Sequence, residues 1–172
     1  MDFDTTCPGC GARLRRKGLS GHRKTFGCQA ESARRSFAAR GWVTVGWYSG
    51  TLEGLKLLGA PLERARTGRK SGGRQVLETW TPRWALHLAD ILRSPGHAEH
   101  HALMKRLVAR CEEDETTERA LRALVESAGI NHLTVPMVVA FAEAALPDVV
   151  SHDVEVKQAV EQLRDVLRRT SG

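Results

Sequence analysis

The stretch Cys7-Pro8-Gly9-Cys10, followed by His22 and Cys28, limits what this chain can fold into more than any other. Two cysteines separated by Pro-Gly bring both sulfurs to one face of a tight knuckle. A histidine and a third cysteine, after a short basic hairpin, complete four ligands of the kind that tetrahedral Zn2+ takes in structural sites. With all four positions filled by protein there is no place for water or substrate, so such a site folds the chain and does not catalyse. A segment this short cannot bury enough apolar surface to fold alone. Ion binding, on the order of 10 kcal/mol in zinc-binding peptides, would supply much of its folding free energy. Without zinc this segment is expected to be disordered.

The spacing Cys7-x2-Cys10-x11-His22-x5-Cys28, with Leu14 and Leu19 between the ligands, resembles a single finger of the classical ββα zinc-finger family in a Cys-Cys-His-Cys variant. The resemblance covers residues 7–30. It implies that Leu14 and Leu19 pack together beneath the metal, and that Arg15, Gly18 and Gly21 hold the places that face successive bases. Two of those three are glycine, which has no side chain to reach a base edge and which weakens a helix by about 1 kcal/mol relative to alanine. Contact with DNA by this segment is therefore expected to carry little sequence readout.

Charge supplies what the reading positions lack. Arg13, Arg15, Arg16, Lys17, Arg23, Lys24, Arg34, Arg35 and Arg40 lie in or just beyond this segment, with Glu31 the only acid among them. That density suits phosphate contact; the plainer alternative is a solvated basic surface. The net charge of +6 conceals a division: residues 1–93 carry 17 basic and 7 acidic groups, residues 94–172 carry 9 and 13. A basic half that meets a polyanion and a mildly acidic half that does not is the simplest reading.

The 172 residues, 41% hydrophobic, suffice for one good core and a small appended module. Three of the four cysteines belong to the zinc motif and Cys111 stands alone, so no disulfide framework argues for secretion and a reducing, cytoplasmic setting is expected. The start Met1-Asp2-Phe3-Asp4 lacks an apolar leader, and no apolar run is long enough to cross a bilayer, so no membrane partner is expected.

Residues 31–40 read as a short basic helix stopped at Gly41, and Trp42 to Tyr48 as a strand. Thr51 caps a short helix over Leu52, Leu55 and Leu58. Gly59-Ala60-Pro61 separates it from a second short helix ending near Arg66, and Thr67 to Arg74 is a flexible basic loop containing Arg69, Lys70 and Arg74. Gln75 to Trp80 reads as a second strand. These pieces suit either a winged-helix-like unit, with the loop's cations along phosphates, or an ordinary α+β core. Gly68-Arg69-Lys70-Ser71 is no phosphate-binding P-loop, because no glycine precedes the lysine. Trp42, Trp47, Tyr48, Trp80 and Trp84 gather in this segment; core packing is the first expectation, and exposed rings would instead stack on bases.

Thr81-Pro82 reads as a helix start, with a stripe of Trp84, Ala85, Leu88, Ile91 and Leu92 ended by Ser94-Pro95-Gly96. Four further stripes follow: Leu103, Met104, Leu107, Val108 and Cys111; Ala120, Leu121, Leu124, Val125 and Ala128, up to Gly129; Met137, Phe141, Ala144 and Ala145; and Val156, Ala159, Val160, Leu163, Val166 and Leu167. His97, Glu99, His100 and His101 could offer a second metal two ligands, but the zinc-protease spacing is absent and an exposed first turn is the simpler reading.

The expected fold is α+β, mainly α: a zinc finger with a basic helical extension over residues 1–40, a small mixed α/β segment over 41–94, and a four-helix bundle over 95–172. No residue pattern defines a catalytic set, so no enzyme is expected. Zn2+ is held by Cys7, Cys10, His22 and Cys28. Nucleic acid, DNA rather than RNA, is met by Arg13, Arg15, Arg16, Lys17, Arg23, Lys24, Arg34, Arg35, Arg69, Lys70 and Arg74. Residues 95–172 recruit a protein partner or a second copy of the chain. The competing expectation is a zinc-stabilised protein adaptor or inhibitor that binds no nucleic acid.

Overall fold

A computed structural model describes residues 4–45, 49–71, 74–128, 134–146, 148, 158, 161–165 and 168–169, with backbone alone at 49–51, 66–71 and 74–76. The fold is α+β and mainly α, with two small sheets. The chain divides into two compact units, Met1–Gly46 with Pro61–Pro82, and Trp47–Ala60 with Arg83–Gly172. Segment 41–94 thus contributes to both units.

In the first unit, β1 (Thr5–Thr6) and β2 (Arg13–Leu14) form a small antiparallel hairpin with Thr5 opposite Leu14. A 3-10 turn at Arg16–Gly18 leads into α1 (Leu19–His22), and α2 follows over Phe26–Ala39. This second helix is longer than the basic helix expected at 31–40, because Thr25 caps it and it is buried on two faces, Cys28 in the cysteine cluster and Phe37 in the core of the sheet. It stops where Gly41, at φ 70°, takes the left-handed conformation that residues with a Cβ avoid.

A three-stranded antiparallel sheet follows, ordered β3 (Trp42–Val45), β5 (Arg74–Pro82), β4 (Glu63–Ser71). Phe37 of α2 stacks on Trp42 and Trp80 at centroid distances of 5.8 and 5.2 Å, and Ala65 completes this core. Trp42, Trp80 and, in the second unit, Trp84 are buried, as core packing requires. Trp47 and Tyr48 lie outside the described residues. Arg34 donates two hydrogen bonds to the Glu78 carboxylate at 3.1 and 2.8 Å. Arg40 reaches Glu63 at 3.2 Å while its guanidinium lies 4.2 Å from the Trp42 ring centroid.

Three local expectations are corrected. The second short helix ending near Arg66 is absent: Glu63 already lies in β4, opposite Trp80. A helix of one turn has few hydrogen bonds to offset its nucleation cost, whereas β5 offers a full ladder. The basic loop at 67–74 is strand up to Ser71 and again from Arg74, with Ser71 opposite Arg74 and a register shift between Arg66 and Lys70. Only Gly72 and Gly73 separate these paired ends in the sequence. With that helix gone, the winged-helix option loses one of its two helices. Finally, Thr81-Pro82 ends a strand. Pro82 pairs with Trp42, and the Thr81 hydroxyl donates to the Pro61 carbonyl at 3.0 Å instead of capping a helix.

The second unit is helical: α3 (Ser49–Leu58), α4 (Arg83–Arg93), a 3-10 segment Pro95–His100, α5 (His101–Glu113), α6 (Glu115–Ala128) and α7 (Val135–Ala145). The expected stripe of α4 is buried, and α3 packs closely on it: a Cβ added at Gly54 would lie 3.0 Å from the Ala89 carbonyl oxygen. Met104, Leu107, Val108 and Cys111 of α5, Leu121 and Val125 of α6, and Val138, Phe141 and Ala142 of α7 continue the core. The α7 stripe is turned by one residue from the expected one, leaving Met137 exposed. The stop at Gly129 and most of the fourth stripe lie outside the described residues; 161–165 and 168–169 are helical. Among the described residues no helix is long and apolar enough to cross a membrane.

Asp114 makes the corner between α5 and α6. Its carboxylate accepts from the Thr116 amide at 3.1 Å and from the hydroxyl of buried Thr117 at 2.6 Å, and Arg110 lies 3.2 Å away. The Thr117 hydrogen bond, ahead of the Thr116 amide and Arg110, holds the carboxyl below its ordinary range. Asp114→Ala is expected to cost about 1 to 2 kcal/mol of stability in urea unfolding, since a helix cap is removed and a buried hydroxyl is stranded. Because the folded-state pKa is lowered, this contribution is complete above the ordinary aspartate range and disappears as pH falls through the folded value. Unfolding of the variant and the parent chain should therefore converge in acid.

Candidate metal centre

The knuckle is built by backbone hydrogen bonds. The Cys7 amide donates to the Ala12 carbonyl and the Gly11 amide to the Cys7 carbonyl, both at 2.8 Å. Gly11 turns the chain at φ 74°, and the Arg35 guanidinium lies over it, only 2.2 Å from where a Cβ would be. Leu14, Leu19 and Ala12 pack against the three cysteines, as expected for the two leucines.

The four predicted ligands come together. Cys7, Cys10 and Cys28 are buried and His22 is half-buried, with one ligand atom from each lying within 4.8 Å of the others. Cys7 Sγ is 3.6 Å from Cys28 Sγ, and Cys10 Sγ is 3.0 Å from His22 Nε2. Two thiolates on a tetrahedral ion with bonds of about 2.3 Å stand about 3.8 Å apart, so the cluster has the size of a four-coordinate site. A groove lined by Gly9, Arg23, Gln29, Ser32 and Ser36 reaches Cys7 and Cys28.

The sulfurs are electrostatically opposed. The backbone amide of Cys10 is the main cause that brings Cys7 down to about 6. Burial, with the neighbouring sulfurs, pushes Cys28 up to about 11. One thiolate is favoured and another resisted within a single pocket, a conflict that a bound cation removes by stabilising every thiolate at once.

The helical part departs from the resemblance. His22 closes the four-residue α1 and Cys28 lies in the first turn of α2, with a turn at Arg23–Thr25 between them. Arg15 is extended at φ −74°, ψ 138°, before the 3-10 turn, so Arg15, Gly18 and Gly21 do not share one continuous helix. Thr25 joins the two ligand-bearing helices: its hydroxyl donates to the His22 carbonyl at 2.8 Å and accepts from the Cys28 amide at 3.3 Å. The sequence reading missed Thr25, although a threonine three residues ahead of a buried helical position is a capping signal.

The basic residues fall into three groups. Arg13, Arg15, Arg16, Lys17, Arg23 and Lys24 are exposed on the hairpin, the 3-10 turn and the link between α1 and α2, and their side chains meet no acid among the described residues. Arg34 and Arg35 face acids instead, Arg34 on Glu78 and Glu31, Arg35 on Glu31. Arg69, Lys70 and Arg74 occupy the far end of the β4–β5 hairpin. Of the other histidines, His97 and His100 stack at 5.7 Å and His101 Nε2 lies 2.9 Å from the Leu92 carbonyl oxygen. No three-ligand cluster forms there among the described residues.

Comparison with protein-family models, with curated proteins and with solved structures finds no match for this chain.

Thr25→Val keeps the shape of the side chain and deletes both hydrogen bonds. It is expected to destabilise the first unit by about 1 kcal/mol and to weaken metal affinity, read by competition with a chromogenic chelator. Chelation should abolish amide-exchange protection around residues 5–28 while leaving that of α4 to α7 in place. Equal loss in both units would contradict a purely local role for the ion.

Proposed function

We propose that this chain is a zinc-stabilised nucleic-acid-binding protein, a binding module and not an enzyme, that holds DNA chiefly through its phosphates. The observation that carries this reading is the group of six exposed cations, Arg13, Arg15, Arg16, Lys17, Arg23 and Lys24, without acid partners beside the metal centre among the described residues. Arg34, Arg35 and Arg40 of the same unit meet acids, whereas the six lie together without them around one site. Three cysteines and one histidine favour Zn2+ among common divalent ions, because the oxygen-seeking Mg2+ and Ca2+ do not take thiolates. The ion supplies structure, and the cations it positions supply the affinity. The second unit, with its mildly acidic charge, is left to recruit a protein or a second copy of the chain.

A labelled DNA titrated with zinc-loaded protein at several salt concentrations tests this reading. The triple variant Arg15→Ala, Arg16→Ala, Lys17→Ala should reduce the slope of log affinity against log salt by about 2 to 3, one increment for each phosphate no longer neutralised. A folded, zinc-loaded protein that binds no nucleic acid at low salt would refute the reading and direct attention to a protein partner.

The weak base readout has its own check. Nothing lies within 4 Å of a Cβ added at Gly18 or Gly21. Alanine at either position should raise stability by about 0.4 to 1 kcal/mol and leave DNA affinity unchanged.

A further inference from the structure

The groove beside the metal centre has a volume of about 380 Å3, within the range of about 300 to 1,000 Å3 that small-ligand sites occupy. Beyond Cys7 and Cys28 its lining is Gly9, Arg23, Gln29, Ser32, Ala33 and Ser36. Gln29, Ser32, Ala33 and Ser36 stand at i, i+3, i+4 and i+7 of α2, the spacing that puts residues on one helical face, so one face of this helix is the floor. Gly9 of the cysteine knuckle stands close against that face: a Cβ there would lie 2.9 Å from Ser32 Oγ.

The floor is polar and its groups are unspent. The side chains of Gln29, Ser32 and Ser36 hydrogen-bond to no other group among the described residues, whereas Glu31 of the same helix meets Arg34 and Arg35. Among the described residues no carboxylate lines the groove, and Arg23 is its one cation. An amide and two hydroxyls offer donors and acceptors together, without net charge.

Shape and charge select the ligand. A duplex presents its base edges inside its own grooves, where a protruding element reaches them and a recess does not. What a nucleic acid can place in a recess is a phosphate or a base that has left its stack. Three thiolates outweigh the charge of one divalent ion, so the end of the groove at Cys7 and Cys28 resists a phosphate. A base is neutral, and its edge takes the donors and acceptors that Gln29, Ser32 and Ser36 offer. Arg23, exposed in the lining, supplies a guanidinium plane to stack on the base or a charge for the phosphate beside it.

Resting on the nucleic-acid reading above, we propose that the DNA is single-stranded and that this groove receives one of its unstacked bases, Gln29, Ser32 and Ser36 bonding the base edge while the cations around the metal centre hold the flanking phosphates.

The test titrates the full zinc-loaded chain into three labelled DNAs at about 0.1 M salt: a single strand of mixed sequence, an abasic strand of the same length, and the duplex. The base-bearing strand should bind about tenfold more tightly than either of the others. Two variants probe the floor, Gln29→Ala, which deletes the amide, and Ser36→Leu, which fills the groove. Each should lose about fivefold in affinity for the base-bearing strand, nothing for the abasic one, and keep the parent salt slope. Both are checked for bound zinc, and the second keeps the test open where the first fails to load. Equal binding of the abasic strand, duplex binding as tight as that of the single strand, or parent-like binding by the zinc-loaded variants each overturns the proposal. If the Arg15, Arg16, Lys17 variant still lowers the salt slope in those cases, the phosphate reading stands and the base assignment alone falls. If no nucleic acid binds, both fall.

Discussion

Three thiols in one small pocket form the constraint on which the first unit depends. Cys7 and Cys28 are 3.6 Å apart, buried, and driven toward opposite protonation states. Around them the apolar material is slight: Ala12, Leu14 and Leu19. Hydrophobic burial alone is a weak drive for closing such a cluster, and a cation bound by deprotonated ligands would supply the rest. Cys28 then transmits the constraint, because the helix that carries it also carries Phe37, which holds the sheet, and Arg34, which anchors the hairpin.

One helix therefore serves two cores. At its first turn it closes the metal cluster, and further along it stacks on Trp42 and Trp80. Its arginines do different work from those of the hairpin and the turn before it. Arg34 and Arg40 bind the sheet to the helix, whereas Arg15, Arg16 and Lys17 face solvent. Charge density in the sequence does not separate these roles; the ion-pair pattern does.

What was legible in the sequence follows from how local each signal is. The ligand set was readable because its spacing is covalent, and the stripes of α4 and α5 because helical periodicity is local. The strand at Glu63–Ser71 was not, since Arg-Ala-Arg-Thr has no marked β pattern and is held extended by β5 and by α2 across it. Thr81-Pro82 misled only in part: α4 does begin at the next residue, Arg83, but the pairing of Pro82 with Trp42 and the bond from Thr81 to Pro61 make these two the end of a strand and not the cap and first turn of the helix. The break between α1 and α2 rests on Thr25, a single hydroxyl whose two partners are three residues away in either direction.

Cys111 lies far from these events in character. It is 5% exposed inside α5, and burial, with nearby carboxylates, pushes its thiol up to about 12. A thiol held protonated and out of solvent is a poor nucleophile toward peroxide or disulfide. Among the four cysteines Cys7, brought down to about 6, is the one that oxidation would reach first, and damage there would spare the helical unit. An oxidised chain would lose one half of its architecture while the other persisted, a split lesion that follows from where the fourth sulfur was placed.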